Sequence, residues 1–196
     1  LIIGYTPIEI IVSVYTNKWF ERMVHYNLIA MINGNGTTSF TPISEALEKM
    51  TLTKIGRLLT LSKLKEDFKK ELICTTYNMT NCNLEYLSSN NYPDLPCLTA
   101  LRMTANIPII FDRFKYMDCY YIDGGVADNF PIVKGIEIGQ KVIGIYIDVN
   151  NKALQDEPSD GIISYFFRLL QIPVLQSTRY RVESVKDKAT IINIQT

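Results

Sequence analysis

The stretch Tyr121-Ile122-Asp123-Gly124-Gly125-Val126-Ala127-Asp128-Asn129-Phe130-Pro131 carries the reading of this chain. A short run of strand formers meets an acid and two glycines. A proline then opens a helical pattern over Ile132 to Ile138, with Gly139 placed to end it. An acid at the carboxyl end of a strand lies where α/β sheets open their ligand crevices. The glycines admit backbone angles closed to other residues and let a second segment, or a substrate, approach the Asp123 carboxylate closely. Taken alone, the stretch reads first as a plain turn, since Asp-Gly is among the commonest turn dipeptides. Asp128 and Asn129, just ahead of Pro131, are expected to cap the helix that follows.

Working outward, Val142-Ile143-Gly144-Ile145-Tyr146-Ile147 is a continuous apolar strand, of the kind buried on both faces of a parallel sheet. Ile162, Ile163, Phe166, Phe167 and Leu170 mark an amphipathic helix, and Thr190-Ile191-Ile192-Asn193-Ile194 reads as a closing strand. The run Phe166 to Leu175 is either a helix covering the sheet, the commoner use of such a stripe, or an interfacial segment for lipid. Upstream, Leu72 to Tyr77 and Leu84 to Leu87 suggest a hairpin, followed by a loop over Ser88 to Pro96 and a helix from Leu98 to about Ala105. Ser62 to Lys70 mixes lysines with Glu66 and Asp67, a solvated helix face. Thr41-Pro42 starts a helix running to about Met50, and Trp19 to Met31 is another, ended by the breaker Asn33-Gly34-Asn35-Gly36. Near the start, Thr6 and Glu9 form a capping box with Pro7 at the first helical position, and Ile8, Ile11, Val12 and Tyr15 share a face. Alternating helices and strands predict an α/β fold with a mostly parallel central sheet.

Ala100-Leu101-Arg102-Met103-Thr104-Ala105-Asn106-Ile107-Pro108-Ile109-Ile110-Phe111 lies just before the strand that leads to Asp123. Together these two stretches resemble the patatin-like phospholipase family, whose later half reads approximately A-x-R-A-S-x-A-I-P-x-x-F and then Y-x-D-G-G-x-x-x-N-x-P. Arg102, Ile107, Pro108, Phe111, Asp123, Gly124, Gly125, Asn129 and Pro131 match in order. The opening Gly4-Tyr5-Thr6-Pro7 resembles the segment after the family's nucleophile helix, so the likeness runs from Leu1 to about Asn150. It implies a three-layer sandwich formed by one truncated domain over residues 1–196, incomplete at its amino end, with residues 151–196 as a variable carboxyl-terminal part. It further implies a lipid acyl hydrolase of the phospholipase A or lipase type. In that family a serine in G-x-S-x-G attacks the ester, the aspartate of the D-G-G motif is its only partner, and a glycine-rich segment forms the oxyanion hole. Asp123, within Asp123-Gly124-Gly125, carries over as the dyad acid. The resemblance implies phospholipid or another acyl-ester lipid as substrate, transient contact with a membrane surface, and no cofactor or metal.

The sequence departs from the family pattern in one large respect: it has neither G-x-S-x-G nor a glycine-rich oxyanion motif. None of its serines, from Ser13 and Ser39 through Ser164 and Ser184, has the flanking glycines of a nucleophile turn. Leu1-Ile2-Ile3 is therefore expected to be the tail of the nucleophile helix of a longer parent, and the chain by itself to be inactive. The alternative is a catalytically inactive patatin-fold protein that binds lipid or regulates. His25, the single histidine, sits between Val24 and Tyr26 and reads as packing or surface.

Composition excludes other classes. Twenty basic residues balance 20 acidic ones, which leaves no surplus for bulk phosphate neutralisation and argues against nucleic-acid binding. With 47% apolar residues a real core is expected. No run approaches the ~20 apolar residues of a membrane span, and the first residues lack a signal-peptide pattern. Cys74, Cys82, Cys97 and Cys119 form no CxxC pair and make a poor metal set, so reduced thiols in an intracellular, non-secreted protein are expected, with the membrane association that the resemblance implies. The glycosylation-like triplets at Asn35 and Asn78 are accordingly read as chance.

Overall fold

A computed structural model of the chain describes residues 1–18, 21, 36–139, 141–148 and 162–195. The expected helix over 19–31, His25, the Asn33-Gly34-Asn35 breaker and the polar loop near Glu157 lie outside the described residues, as do the side chains of Phe166 and Phe167. The chain is mixed α/β and divides into two compact units, Leu1–Gly124 and Gly125–Thr196.

In the first unit, helix α1 (Pro7–Thr16) begins as its sequence dictates. The Thr6 hydroxyl accepts from the Glu9 N–H at 3.2 Å, and the Glu9 carboxylate accepts from the Thr6 N–H at 2.6 Å. Its apolar face, however, is open: Ile8 is 73% and Tyr15 80% exposed. The helix instead turns Ser13 and Glu9 toward Met50 and Lys54 of α2 (Thr41–Ile55). Helix α2 runs past Met50 to Gly56, which closes it with a left-handed φ of 71°. Helix α3 (Leu61–Phe68) is capped by the Thr60 hydroxyl and buries Leu61 and Leu64 while its lysines stay in water.

Strands β1 (Cys74–Asn78) and β2 (Asn83–Leu87) form the expected hairpin, with Cys74 opposite Leu87. After α4 (Cys97–Thr104), strands β3 (Phe114–Tyr116) and β4 (Cys119–Asp123) make a second hairpin. Its two-residue turn, Met117 and Asp118, has φ of 43° and 63°. The sheet order is β2-β1-β4-β3, and all three pairings are antiparallel. This corrects the expectation of a mostly parallel central sheet. Tight turns can join only antiparallel neighbours, and neither hairpin leaves the dozen or more residues that a parallel crossover needs. Strand β3 escaped sequence reading because its turn lacks the Asn-Gly or Asp-Gly signal that left-handed turn residues usually announce. The core beneath this sheet joins Leu61, Cys74, Leu87, Ala100, Met103 and Tyr121.

The second unit contains the short helix α5 (Gly125–Asp128), α6 (Ile132–Ile138), β5 (Ile143–Asp148), the long helix α7 (Ile162–Ser184) and β6 (Thr190–Gln195). Here β5 and β6 are parallel, with Ile143 opposite Thr190, and α7 is the crossover that such pairing requires. Gly144 and Tyr146 face a core of Phe130, Ile132 and Val185, while Ile143, Ile145 and Ile147 are exposed. The reading of β5 as buried on both faces is thus corrected to one face. Within this two-stranded sheet the described helices cover a single side. Helix α7 extends well beyond Leu170, through Pro173, and its carboxyl-terminal half supplies Val182 to the core.

Candidate active site

Asp123 is the last residue of β4 and is half-buried. Its N–H donates to the Asn106 carbonyl at 2.9 Å, and across the sheet it stands opposite Thr76. Thr76 is fully buried; its hydroxyl reaches the Ile122 carbonyl at 2.8 Å and the Met103 carbonyl at 3.3 Å. The Thr104 hydroxyl donates to the Thr75 carbonyl at 2.6 Å. The end of α4 is thereby stitched to the strand ends that carry Asp123. Gly124 follows, and a Cβ there would stand 2.3 Å from the Thr75 carbonyl oxygen and 2.4 Å from its carbon. No side chain fits at that distance, so β1 passes close behind the aspartate only because residue 124 is glycine.

The segment between α4 and β3 is organised by Arg102. This buried guanidinium lies 4.4 Å from the Phe40 ring and 5.2 Å from the Phe114 ring. It donates to the Asn106 side-chain oxygen at 2.5 Å and to the Asp112 carbonyl at 2.8 Å, with the Asp112 carboxylate at 3.2 Å. Burial pulls its affinity for the proton down, and the Asp112 charge opposes that. Asn106 in turn donates its amide to the Tyr121 carbonyl at 2.7 Å. Arg102, Asn106 and β4 therefore form one hydrogen-bonded series ending at the Asp123 backbone. In the same segment Ile109 has φ of 72°, an outlying conformation for a β-branched residue. Thr37 and Thr38 hold it by donating their N–H groups to the Ile109 and Ile110 carbonyls at 2.9 and 2.8 Å.

Gly125 opens the second unit as the first residue of α5. Asp128 and Asn129 do not cap α6, whose N-cap position is Pro131 and which has no side-chain cap. Asp128 is buried at the end of α5, 3.3 Å from Arg181 of α7, and Asn129 reaches the Thr178 hydroxyl at 3.4 Å. The correction follows from α7, whose contribution to this unit lies some 50 positions along the chain and competes for both side chains.

A carboxylate fixed at a strand end can accept a proton from a nucleophile brought against it. Among the described residues no three His, Cys, Asp or Glu side chains converge in a way that could hold a metal ion, and no helix is long and apolar enough to cross a membrane. The four cysteines form no disulfide; burial pushes the Cys74 thiol up to about 12 and the Cys97 thiol to about 11, which keeps both protonated and unreactive. Sequence reasoning singled out Asp123 and its glycines but not Asn106, which stands where the quoted pattern has an alanine and so counts among the departures from it. Only the threading of a polar side chain between Arg102 and Tyr121 reveals its part.

Comparison with known proteins adds two findings. A family model described as patatin-like phospholipase matches residues 2–134. A protein of Invertebrate iridescent virus 6, named "Probable lipid hydrolase 463L", is 36% identical over 147 residues, which cover 72% of this chain. The match spans 50% of the viral protein's length.

Proposed function

The chain belongs to the patatin-like phospholipase family, and from that premise we propose that the full-length protein is a lipid acyl hydrolase working through a serine–aspartate dyad, with Asp123 as the base. The observation that carries the reading is the setting of Asp123: a half-buried acid at a strand end, held through its backbone by Asn106 and backed by a glycine that admits β1. In the reaction the serine oxygen bonds to the ester carbonyl carbon while its proton passes to the Asp123 carboxylate. The carbonyl oxygen becomes the tetrahedral oxyanion, and collapse expels the alcohol, which takes the proton. Water attacks the acyl-serine by the same steps in reverse roles and releases the fatty acid.

Serine and oxyanion hole are assigned to sequence outside these 196 residues, consistent with a matched relative of which this alignment spans 50%. On this reading residues 1–196 are the later part of a single catalytic domain, and residues 151–196 its variable end. Substrate is a phospholipid or similar acyl ester, met in transient contact at a membrane surface inside the cell.

The test uses the full-length protein. Asp123→Asn keeps shape but cannot take a proton, and is expected to lower hydrolysis of a phospholipid or acyl p-nitrophenyl ester by ~10²-fold or more. Labelling by a serine-directed fluorophosphonate should occur in the parent and fall in the variant. Hydrolysis by Asp123→Asn at the parent rate removes the dyad assignment; absence of both labelling and hydrolysis in the parent favours the inactive lipid-binding alternative.

A further inference from the structure

Beside β4 the first unit holds a cavity of about 500 Å³, inside the range of small-molecule sites. Its walls are mainly apolar, among them Pro108, Ile109, Phe111 and Ile122, and among the described residues no carboxylate lines it. One cation does. Arg113 is exposed at its edge and makes no ion pair or hydrogen bond among the described residues. Its neighbours are committed elsewhere: Asp112 accepts from Arg102 and from the Phe40 N–H, and Lys115 pairs with Asp118 at 2.8 Å. Exposed Met79 and Tyr120 complete the rim. The wall is also a built one, since it includes the left-handed Ile109, held in place by Thr37 and by the Arg102 clamp on Asp112. Unfavourable backbone kept by such supports is characteristic of ligand clamps.

An apolar cavity with one uncommitted guanidinium at its mouth has the chemistry of a site for a single hydrocarbon chain ending in an anion. We infer that this cavity binds one acyl chain with its carboxylate or phosphate head on Arg113. The site is separate from the proposed dyad. Asp123 does not line it, and side chains of successive strand residues, Ile122 and Asp123, leave opposite faces of β4. The two are neighbours through Asn106, which lines the cavity and whose carbonyl holds the Asp123 N–H. A free fatty acid, the product class of the proposed hydrolysis, is the simplest ligand of this type. To that extent the choice of ligand rests on the proposed function, although the cavity does not.

The experiment measures binding to the full-length protein below the critical micelle concentration, by calorimetry, for oleate, oleoyl lysophosphatidate, oleyl alcohol and inorganic phosphate. Both anionic amphiphiles are expected to bind at least about tenfold more tightly than oleyl alcohol, because a charge-assisted bond to guanidinium is lost with the head group. Inorganic phosphate, lacking a chain, should bind at least tenfold more weakly still than oleate. Arg113→Gln should bring oleate to the level of oleyl alcohol, and Met79→Trp, which crowds the rim, should weaken both equally. Asp123→Asn should bind oleate as the parent does, so binding survives even where the hydrolase reading fails. Failure of oleate to bind the parent, an Arg113→Gln variant that keeps its preference for oleate over oleyl alcohol, or phosphate binding as tightly as oleate overturns the inference.

Discussion

Replacing Gly124 by alanine probes the point where backbone proximity and proposed chemistry meet. The added Cβ would sit 2.3 Å from the Thr75 oxygen and 2.4 Å from its carbonyl carbon, and both are backbone atoms. Relief to an ordinary contact requires the end of β4 to withdraw from β1 by roughly 1 Å, the scale on which tight interiors resist insertion. Overpacking of this kind costs about 1–3 kcal/mol. The movement also stretches the 2.9 Å bond from the Asp123 N–H to Asn106, or the 2.6 Å bond from Thr104 to Thr75. Each lost bond adds about 1 kcal/mol, so the expected destabilisation is ~2–4 kcal/mol. In a urea titration of the full-length protein the midpoint should fall by about 1 M or more with the slope unchanged. The same displacement of Asp123 should lower kcat by ~10²-fold in the variant molecules that remain folded. Gly56→Ala is the control: its φ is 71° with no atom within 4 Å, so only the left-handed penalty of ~1–2 kcal/mol applies, without loss of activity. A Gly124→Ala protein that melts at the parent's urea concentration would refute the close approach on which this rests.

Other perturbations test separate parts. Arg102→Met leaves the Asn106 side-chain oxygen and the Asp112 carbonyl without their buried donor and should destabilise by about 3–5 kcal/mol in urea; a loss below ~1 kcal/mol would mean that the clamp is decorative. The Ser89 hydroxyl, 2.6 Å away, and then Lys65 at 3.2 Å hold the Glu71 carboxyl below the usual carboxylate range. Because the folded value is the lower one, this stabilisation is present above the unfolded pKa of ~4.3 and vanishes as pH falls through the folded value. Ser89→Ala should accordingly be less stable than the parent at pH 7 and indistinguishable from it at strongly acid pH, and an equal gap at both would contradict the pairing. Exposed Cys82 should react with a disulfide reagent in the native protein, whereas Cys74, buried and raised to about 12, should react only on unfolding. Since that thiol stays protonated in the fold while an unfolded one ionises near ~8.5, stability should also decline as pH rises past that value. Modification of Cys74 as fast as Cys82 in the folded chain would contradict its burial.

Local chemistry was legible without coordinates wherever a few adjacent residues settle the outcome. The Thr6–Glu9 box starts α1, the Cys74–Leu87 hairpin forms, and α6 ends at Gly139, because each depends on hydrogen bonds reaching three or four positions. The ordered Arg102 and Asp123 patterns likewise identified the family from the chain alone. What only the tertiary structure decided were matters of neighbourhood. Apolar periodicity states which faces of α1 and β5 are able to be buried, not whether a partner covers them, and the apolar face of α1 and one of the two faces of β5 stand exposed here. Met117 and Asp118 adopt left-handed angles with no local signal, so β3 and the antiparallel order of the sheet emerged only in three dimensions. Asn106 gains its part from Arg102 on one side and Tyr121 on the other, and Asp128 from Arg181. Such groups are spaced by chain length rather than by helix or strand period, and burial, which makes a polar side chain find a partner, is a property of the packed molecule and not of the neighbouring letters.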